Sequence, residues 1–226
     1  VLPQVLGADA PVSNAGTLRT RGWEFTVDWH HRFGEFNVYA NFNLSDSRSK
    51  VVKWDNPSML LNANYSGKNY GDIWGFETER YFEESDFTGK NPDGTWNYAK
   101  GVASQKGLEQ GSFHYGPGDV KFKDLDGNGV IDGGKGTADN HGDLKVIGNF
   151  LPRYEYSFHL GGSWKGIDLD LFFQGVGKRD IAVGGPYFSG GNGNMWQNAG
   201  FEEHLDFYRP ADTKSFFGPN EDAYYP

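Results

Sequence analysis

The chain has 226 residues, 33 of them glycine, with 16% aromatic content, a formal net charge of −9 and no cysteine. The acidic balance, without an evident basic stripe, argues against nucleic acid as a partner, and the missing cysteines exclude disulfides, thiol catalysis and cysteine-based zinc sites. No run approaches the ~20 apolar residues of a membrane helix, which excludes a helical membrane protein but not a β-barrel, where only alternate strand residues face lipid.

Residues 1–16 read as a connector, followed by a first hairpin over residues 17–48. In its first strand Trp23, Phe25, Val27 and Trp29 alternate with Glu24, Thr26, Asp28 and His30. After a turn at Gly34 and Glu35, Phe36, Val38, Ala40, Phe42 and Leu44 alternate with Asn37, Tyr39, Asn41 and Asn43. Successive strand side chains point to opposite faces, so each stretch makes a ribbon with one oily and one wet surface.

Residues 51–150 form an excursion too long for an unstructured loop in a compact domain, and so are predicted to fold on themselves and to carry function. The loop aromatics Trp74, Phe76 and Trp96, with Trp196 further on, suit a sugar or peptide surface. The duller explanation is that they pack the loops against one another.

Asp124-Leu125-Asp126-Gly127-Asn128-Gly129-Val130-Ile131-Asp132 matches the first part of a calcium loop, with oxygen donors at alternate positions and a glycine for the sharp turn. The candidate ligands are Asp124, Asp126, Asn128, the Val130 backbone and Asp132. The position where a closing carboxylate belongs holds Lys135, so Asp139 or Asp143 can serve only if residues 133–141 bulge out. The competing reading is an Asx-rich turn capped by its own side chains. A bound calcium ion here would have a structural role.

A second hairpin spans residues 153–178, where Tyr154, Tyr156, Phe158 and Leu160 oppose Arg153, Glu155, Ser157 and His159. After Lys165 and Gly166, Ile167, Leu169, Leu171 and Phe173 oppose Asp168, Asp170 and Gln174. Residues 179–226 begin another excursion. Minimal turns at one end and long loops at the other predict an all-β fold, an antiparallel transmembrane β-barrel fragment of two hairpins with long extracellular loops. Soluble sandwiches have turn signals at both ends. Trp23 and Trp164 near strand ends suit the membrane interface. The wet-face residues Glu24, Asp28, Arg153, Glu155, His159, Asp168 and Asp170 are then lumen candidates.

Asp168 and Asp170, roughly 7 Å apart on one face of a strand, have a spacing that suits two-carboxylate glycoside hydrolysis; lining a wet lumen is the plainer account. Gly175-Val176-Gly177-Lys178 lacks the spacing of a phosphate loop, and no His-Glu-x-x-His pair occurs. No catalytic residue is therefore expected. The chain opens at Val1 without a targeting segment and closes within loop-like sequence. Because an open sheet cannot stand in lipid, a fragment of a longer barrel is expected.

With these features in view, the chain resembles the C-terminal barrel portion of the SusC/RagA family of TonB-dependent outer-membrane transporters. The resemblance rests on Gly118 to Asp132, on Ile147-Gly148-Asn149 with Leu151-Pro152-Arg153-Tyr154, on Leu171 to Asp180, on Arg21-Gly22-Trp23-Glu24, on Gly71 to Phe76 and on Ala223-Tyr224-Tyr225-Pro226. It implies a barrel of about 22 strands in the outer membrane of a Gram-negative bacterium, with an N-terminal plug and the last strands lying outside this sequence. It further implies uptake of oligosaccharides or peptides powered through TonB, and a SusD-like surface lipoprotein as partner. Aligned on the family, Asp143 takes the place of the closing aspartate. The alternatives are a soluble calcium-stabilised β-sandwich for carbohydrate binding or adhesion, and a secreted glycan hydrolase.

Overall fold

The computed structural model describes residues 16–185, 188 and 200–225. The chain divides into two units, Val1–Asp72 with Asn149–Arg179 and Ile73–Gly148 with Asp180–Pro226. The described elements are strands and short 3₁₀ turns, and the sheets give the expected all-β, antiparallel architecture.

The first unit is a four-stranded sheet in the order β1-β2-β9-β10. Its strands are β1 (Gly16–Phe33), β2 (Phe36–Trp54), β9 (Arg153–Trp164) and β10 (Ile167–Lys178). Every neighbouring pair is antiparallel. The first hairpin runs well beyond residue 48, pairing out to Gly16 and Trp54, and past the point where β9 leaves β2 the backbone of Ser49 and Val51 bonds that of Gly67, Lys68 and Tyr70. Gly34 turns the first hairpin with a left-handed φ of 62°. Lys165 and Gly166, at φ 48° and 85°, turn the second as a paired left-handed turn that follows strand twist.

Register aligns the oily residues in rows across the sheet. Val27, Phe42, Phe158 and Phe173 form one row, and Trp29, Ala40, Leu160 and Leu171 form the next. On the opposite face run Thr26-Asn43-Ser157-Gln174 and Asp28-Asn41-His159-Phe172. The oily face stays open: Ile167 is 65% exposed, Leu169 60%, Phe173 57% and Phe25 53%.

The second unit begins at β3 (Asp72–Phe76), which pairs with β8 (Leu144–Asn149). β4 (Thr78–Tyr81) pairs with β7 (Val120–Phe122), and β5 (Phe87–Lys90) with β6 (Trp96–Tyr98). In contrast to the sheet it has a closed core, in which Phe82, Phe87 and Ile131 are buried and Phe82 meets the rings of Phe87, Tyr98 and Tyr115. Buried Gln105 ties the core together, donating to the Val120 carbonyl at 3.1 Å and accepting from the Phe122 N–H at 2.6 Å.

Candidate functional site

The acidic loop is built by glycines and by one distant carboxylate. Gly127 and Gly129 adopt φ of 74° and 83°, which lets the chain turn tightly enough for alternate side chains to converge. Asp124 accepts from the N–H groups of Gly127 and Gly129 at 2.7 and 2.8 Å, and Asn128 Oδ1 accepts from Val130 at 2.7 Å. Residues 133–141 do bulge out, closed on themselves by Lys135 and Thr137 N–H bonds to the Asn140 carbonyl at 3.0 and 3.2 Å. The Asp143 N–H bonds the Asp132 carbonyl at 2.9 Å, which returns its side chain to the loop. Asp139 is spent instead on Thr137, whose hydroxyl it accepts at 2.7 Å.

Asp143 is fully buried, at 0% relative exposure, and closes the loop from beneath. One of its oxygens accepts from Leu125 N–H at 2.6 Å and the other from Asp132 N–H at 2.9 Å. A carboxylate oxygen has room for a second partner. Ligand oxygens of Asp124, Asp126 and Asp143 lie within 4.8 Å of one another, close enough to share an ion that binds oxygens at about 2.3–2.6 Å. Asp132 stands outside that trio, its Oδ1 accepting from Gly134 N–H at 2.6 Å. The nearest lysines in sequence are engaged elsewhere: Lys123 meets Glu77 at 2.5 Å, and Lys145 meets the same carboxylate. Together they hold the Glu77 carboxyl at about 2, Lys123 having the larger effect.

The same unit holds an ionic cluster that sequence reasoning missed. Arg80 forks onto Asp86 at 2.6 and 2.8 Å, and Lys121 reaches the same carboxylate at 3.3 Å. Asp86 is 3% exposed. Burial pushes its carboxyl up, but Arg80, the Glu83 N–H and Lys121 outweigh that and hold it at about 2. No spacing rule links Lys121 to Asp86; the pairing of β4 with β7 does.

The loop aromatics pack inward. Half-buried Trp74 meets His141 at 5.3 Å between ring centroids, Phe76 meets Phe122 at 5.2 Å, and Trp96 meets Phe87 at 5.4 Å. These three therefore act first as packing. Trp196 lies outside the described residues.

On the wet face of the sheet polar groups bond in chains across strands. Thr26 donates to Asn43 at 2.8 Å, Asn43 donates to Ser157 at 3.1 Å, and Asn41 donates to Asp28 at 2.5 Å. Tyr39 lies over Gly161, where an added Cβ would stand 2.1 Å from its ring. Crossing that glycine, its hydroxyl donates to Asp170 on β10. His159 meets the other Asp170 oxygen at 2.6 Å. Asp170 is thus held on both oxygens, which sets it apart from Asp168 and gives no symmetric carboxylate pair. Glu24 and Glu155 are exposed on this face, in one row through Ser45. Phe172 and Val176 interrupt the polar pattern there. Arg153 departs from the other candidates: it forks onto Asp46, which has the strand parity of Phe42 and Leu44. A left-handed Tyr154, at φ 56°, interrupts the alternation beside it.

No protein-family model matches the chain. It is similar to TonB-dependent receptor P3 of Formosa agariphila, 27% identical over 187 residues, covering 76% of this chain and 16% of that receptor. TonB-dependent receptor P26 of the same organism is 24% identical over 184 residues, covering 80% of this chain and 17% of the receptor. Among solved structures, that of the RagAB peptide transporter aligns over 76% of this chain and 16% of its own, at 19% identity and a TM-score of 0.44. The chain thus spans about a sixth of the length of the curated relatives it matches.

Proposed function

We propose that this chain, a relative of TonB-dependent receptors, supplies part of the wall and the outer loops of an outer-membrane importer of oligosaccharides or peptides. The observation that carries this reading is the oily face of the sheet. Rows of Val27, Phe42, Phe158 and Phe173 and of Trp29, Leu160 and Leu171 lie open across all four strands, with no second layer among the described residues of that unit. In water such a patch is a liability; against acyl chains it is the stable arrangement. A β-sandwich, the soluble alternative, has to bury that face.

In this reading Glu24, Asp28, Glu155, His159, Asp168 and Asp170 line an aqueous lumen. The two-residue turns lie on the periplasmic side, and the second unit belongs to the extracellular loops. Transport through TonB and a SusD-like lipoprotein partner belong to the whole protein. Spin labels in the full-length protein at Phe25, Phe42, Phe158 and Leu171 are expected to be quenched by lipid-soluble oxygen, and labels at Asp28 and Ser157 by aqueous nickel complexes. The reverse pattern ends the proposal. Deleting the parent gene is expected to abolish growth on one glycan or peptide; growth unchanged on every such nutrient counts against import.

The acidic loop fits a structural calcium ion, with Asp124, Asp126 and Asp143 as carboxylate donors and Asn128 and the Val130 carbonyl beside them. Three acidic oxygens in one place are the hard donor set that calcium prefers. Calorimetric titration is expected to show calcium heat that disappears in Asp124→Ala with Asp126→Ala. Heat that survives both substitutions places the ion elsewhere.

A further inference from the structure

The oily face does not end in neutral residues. β1 and β2 both continue past Trp23 and Leu44 on the side of the long loops, and their alternation persists until a bulge at Thr17 and Leu18. On the Trp23 face the next side chains along β1 are Arg21 and Arg19. Along β2, on the same face, Leu44 is followed by Asp46, Arg48 and Lys50. Register sets Arg21 opposite Arg48 and Arg19 opposite Lys50. Directly opposed like charges on a strand pair are destabilising. All four cations are exposed, and among the described residues none has an ion pair. Asp46, the one acid on this stretch, is committed to Arg153.

The four cations border a shallow cleft of about 520 Å³ that also takes in Gly22, Trp23, Asn69 and Asp46, the last bonded to Arg153, so that cations outnumber the one acid in its lining. Its position relative to the oily band is set by strand length. From Phe33 at the turn to Trp23 the band occupies about eleven residues, the length a tilted membrane strand needs. The cations therefore follow at the depth where hydrocarbon gives way to headgroups, on the outer surface of the wall rather than in the lumen. A ligand that satisfies both parts of this surface has an apolar body along Trp23 and Phe25 and an anionic head at the arginines. Clustered arginine and lysine charge attracts an anionic phosphate headgroup at a membrane surface.

We propose that Arg19, Arg21, Arg48 and Lys50 form a headgroup site for a lipid with a net anionic phosphate headgroup in the leaflet on the long-loop side, with Trp23 at the base of the site. This inference rests on the membrane-wall reading above. It also qualifies the sequence reading, in which no basic stripe was evident: the stripe exists only once two strands are set in register.

The test uses the full-length protein purified in a non-ionic detergent, with diphosphoryl lipid A as probe and retention measured by native mass spectrometry. Lipid A is expected to bind, phosphatidylcholine to bind at least tenfold more weakly, and millimolar inorganic phosphate not to compete. Each cation near a membrane surface contributes about fivefold. The combined Arg19→Gln, Arg21→Gln, Arg48→Gln and Lys50→Gln variant is therefore expected to lose at least tenfold in lipid A affinity. The variant Arg19→Lys with Arg21→Lys and Arg48→Lys, which keeps the charge, is expected to retain most of it. Arg32→Gln, at the turn end of β1, is expected to change nothing, and heat-modifiable gel mobility verifies that each variant is folded.

Equal lipid A retention by wild type and the glutamine variant overturns the proposal. So does competition by inorganic phosphate alone, or release of a bound protein partner in place of lipid. If the spin labels report lipid at Phe25 and Phe158 while the glutamine variant still binds lipid A, only this inference fails. If the labels report no lipid, the membrane-wall reading fails with it.

Discussion

The sheet and the loop unit sort the same kinds of side chain in opposite ways. In the loop unit Phe82, Phe87 and Ile131 are buried, and charged groups gather where they find partners, as Arg80 and Lys121 do around Asp86. In the sheet the large apolar residues stand open along one face, while hydrogen-bonded polar groups run along the other. Burial alone therefore does not identify the stabilising surface of a chain, because that depends on which solvent each face meets. A core made by excluding water is closed by the chain itself, whereas an oily wall, in the function proposed here, is closed by the lipid around it.

That contrast is broken most severely by removing one partner from a buried charge cluster. Asp86→Ala removes the buried partner of Arg80 and Lys121, leaving them only the exposed carboxylates of Glu83 and Glu79, and is expected to cost about 3 kcal/mol. Hydrogen exchange in the full-length protein should rise over residues 78–122, while β9 and β10 keep their protection. Loss of protection in the sheet as well shows that the two regions are not independently stabilised.

Next in size is a charge set into the wall. Phe158→Arg is expected to cost about 2–4 kcal/mol in a membrane, measured by urea titration of folding into phosphatidylcholine vesicles. Ser157→Arg, one residue along on the wet face, is expected to cost far less. Equal effects at the two positions remove the distinction between the faces.

Acid tests the buried cluster of the loop unit. The Asp86 carboxyl, held at about 2, lies below its ordinary value near 3.9. Its contribution, about 2–3 kcal/mol, is fully present above about pH 3.9 and is lost as pH falls through about 2. Pepsin pulses are expected to cut within residues 78–122 faster at pH 2 than at pH 3.9, and Asp86→Asn to remove most of that difference. Glu77, only half-buried and also held at about 2, is partly screened by solvent, and Glu77→Gln is expected to change the pepsin profile far less than Asp86→Asn.

The mildest change sharpens the wet face. Gly161→Ala puts a methyl into the Tyr39 ring, and the displaced tyrosine loses its bond to Asp170. Such overpacking costs about 1–3 kcal/mol. Tyr39→Phe with Gly161→Ala together should cost no more than Gly161→Ala alone, since the bond is already lost.

Much of the sheet was legible because alternation is a local property. Once Trp23, Phe25 and Val27 are read at every second position, the faces of β1 follow without knowledge of any neighbour. The loop was legible to the same depth, since glycines at 127 and 129 permit the turn whatever surrounds them. Asp143 came from a family resemblance, and the bulge of residues 133–141 is what lets it reach. The packed state of Trp74, Phe76 and Trp96 was less legible, because an aromatic ring in a loop has the same letter whether it meets a ligand or a neighbour.

By itself the sequence determined the four strands of the sheet, their two faces, the tight turns and the local part of the acidic loop around Asp124, Asp126 and Asn128, all of which arise from backbone geometry and residues close in the chain. Only the tertiary structure decided that Lys121 joins Asp86, that Tyr39 crosses Gly161 to Asp170, and that Arg19 and Arg21 stand opposite Lys50 and Arg48. Each of those depends on strand neighbours and register, which are fixed by hydrogen bonding and packing across the whole sheet and leave no periodic trace in the chain.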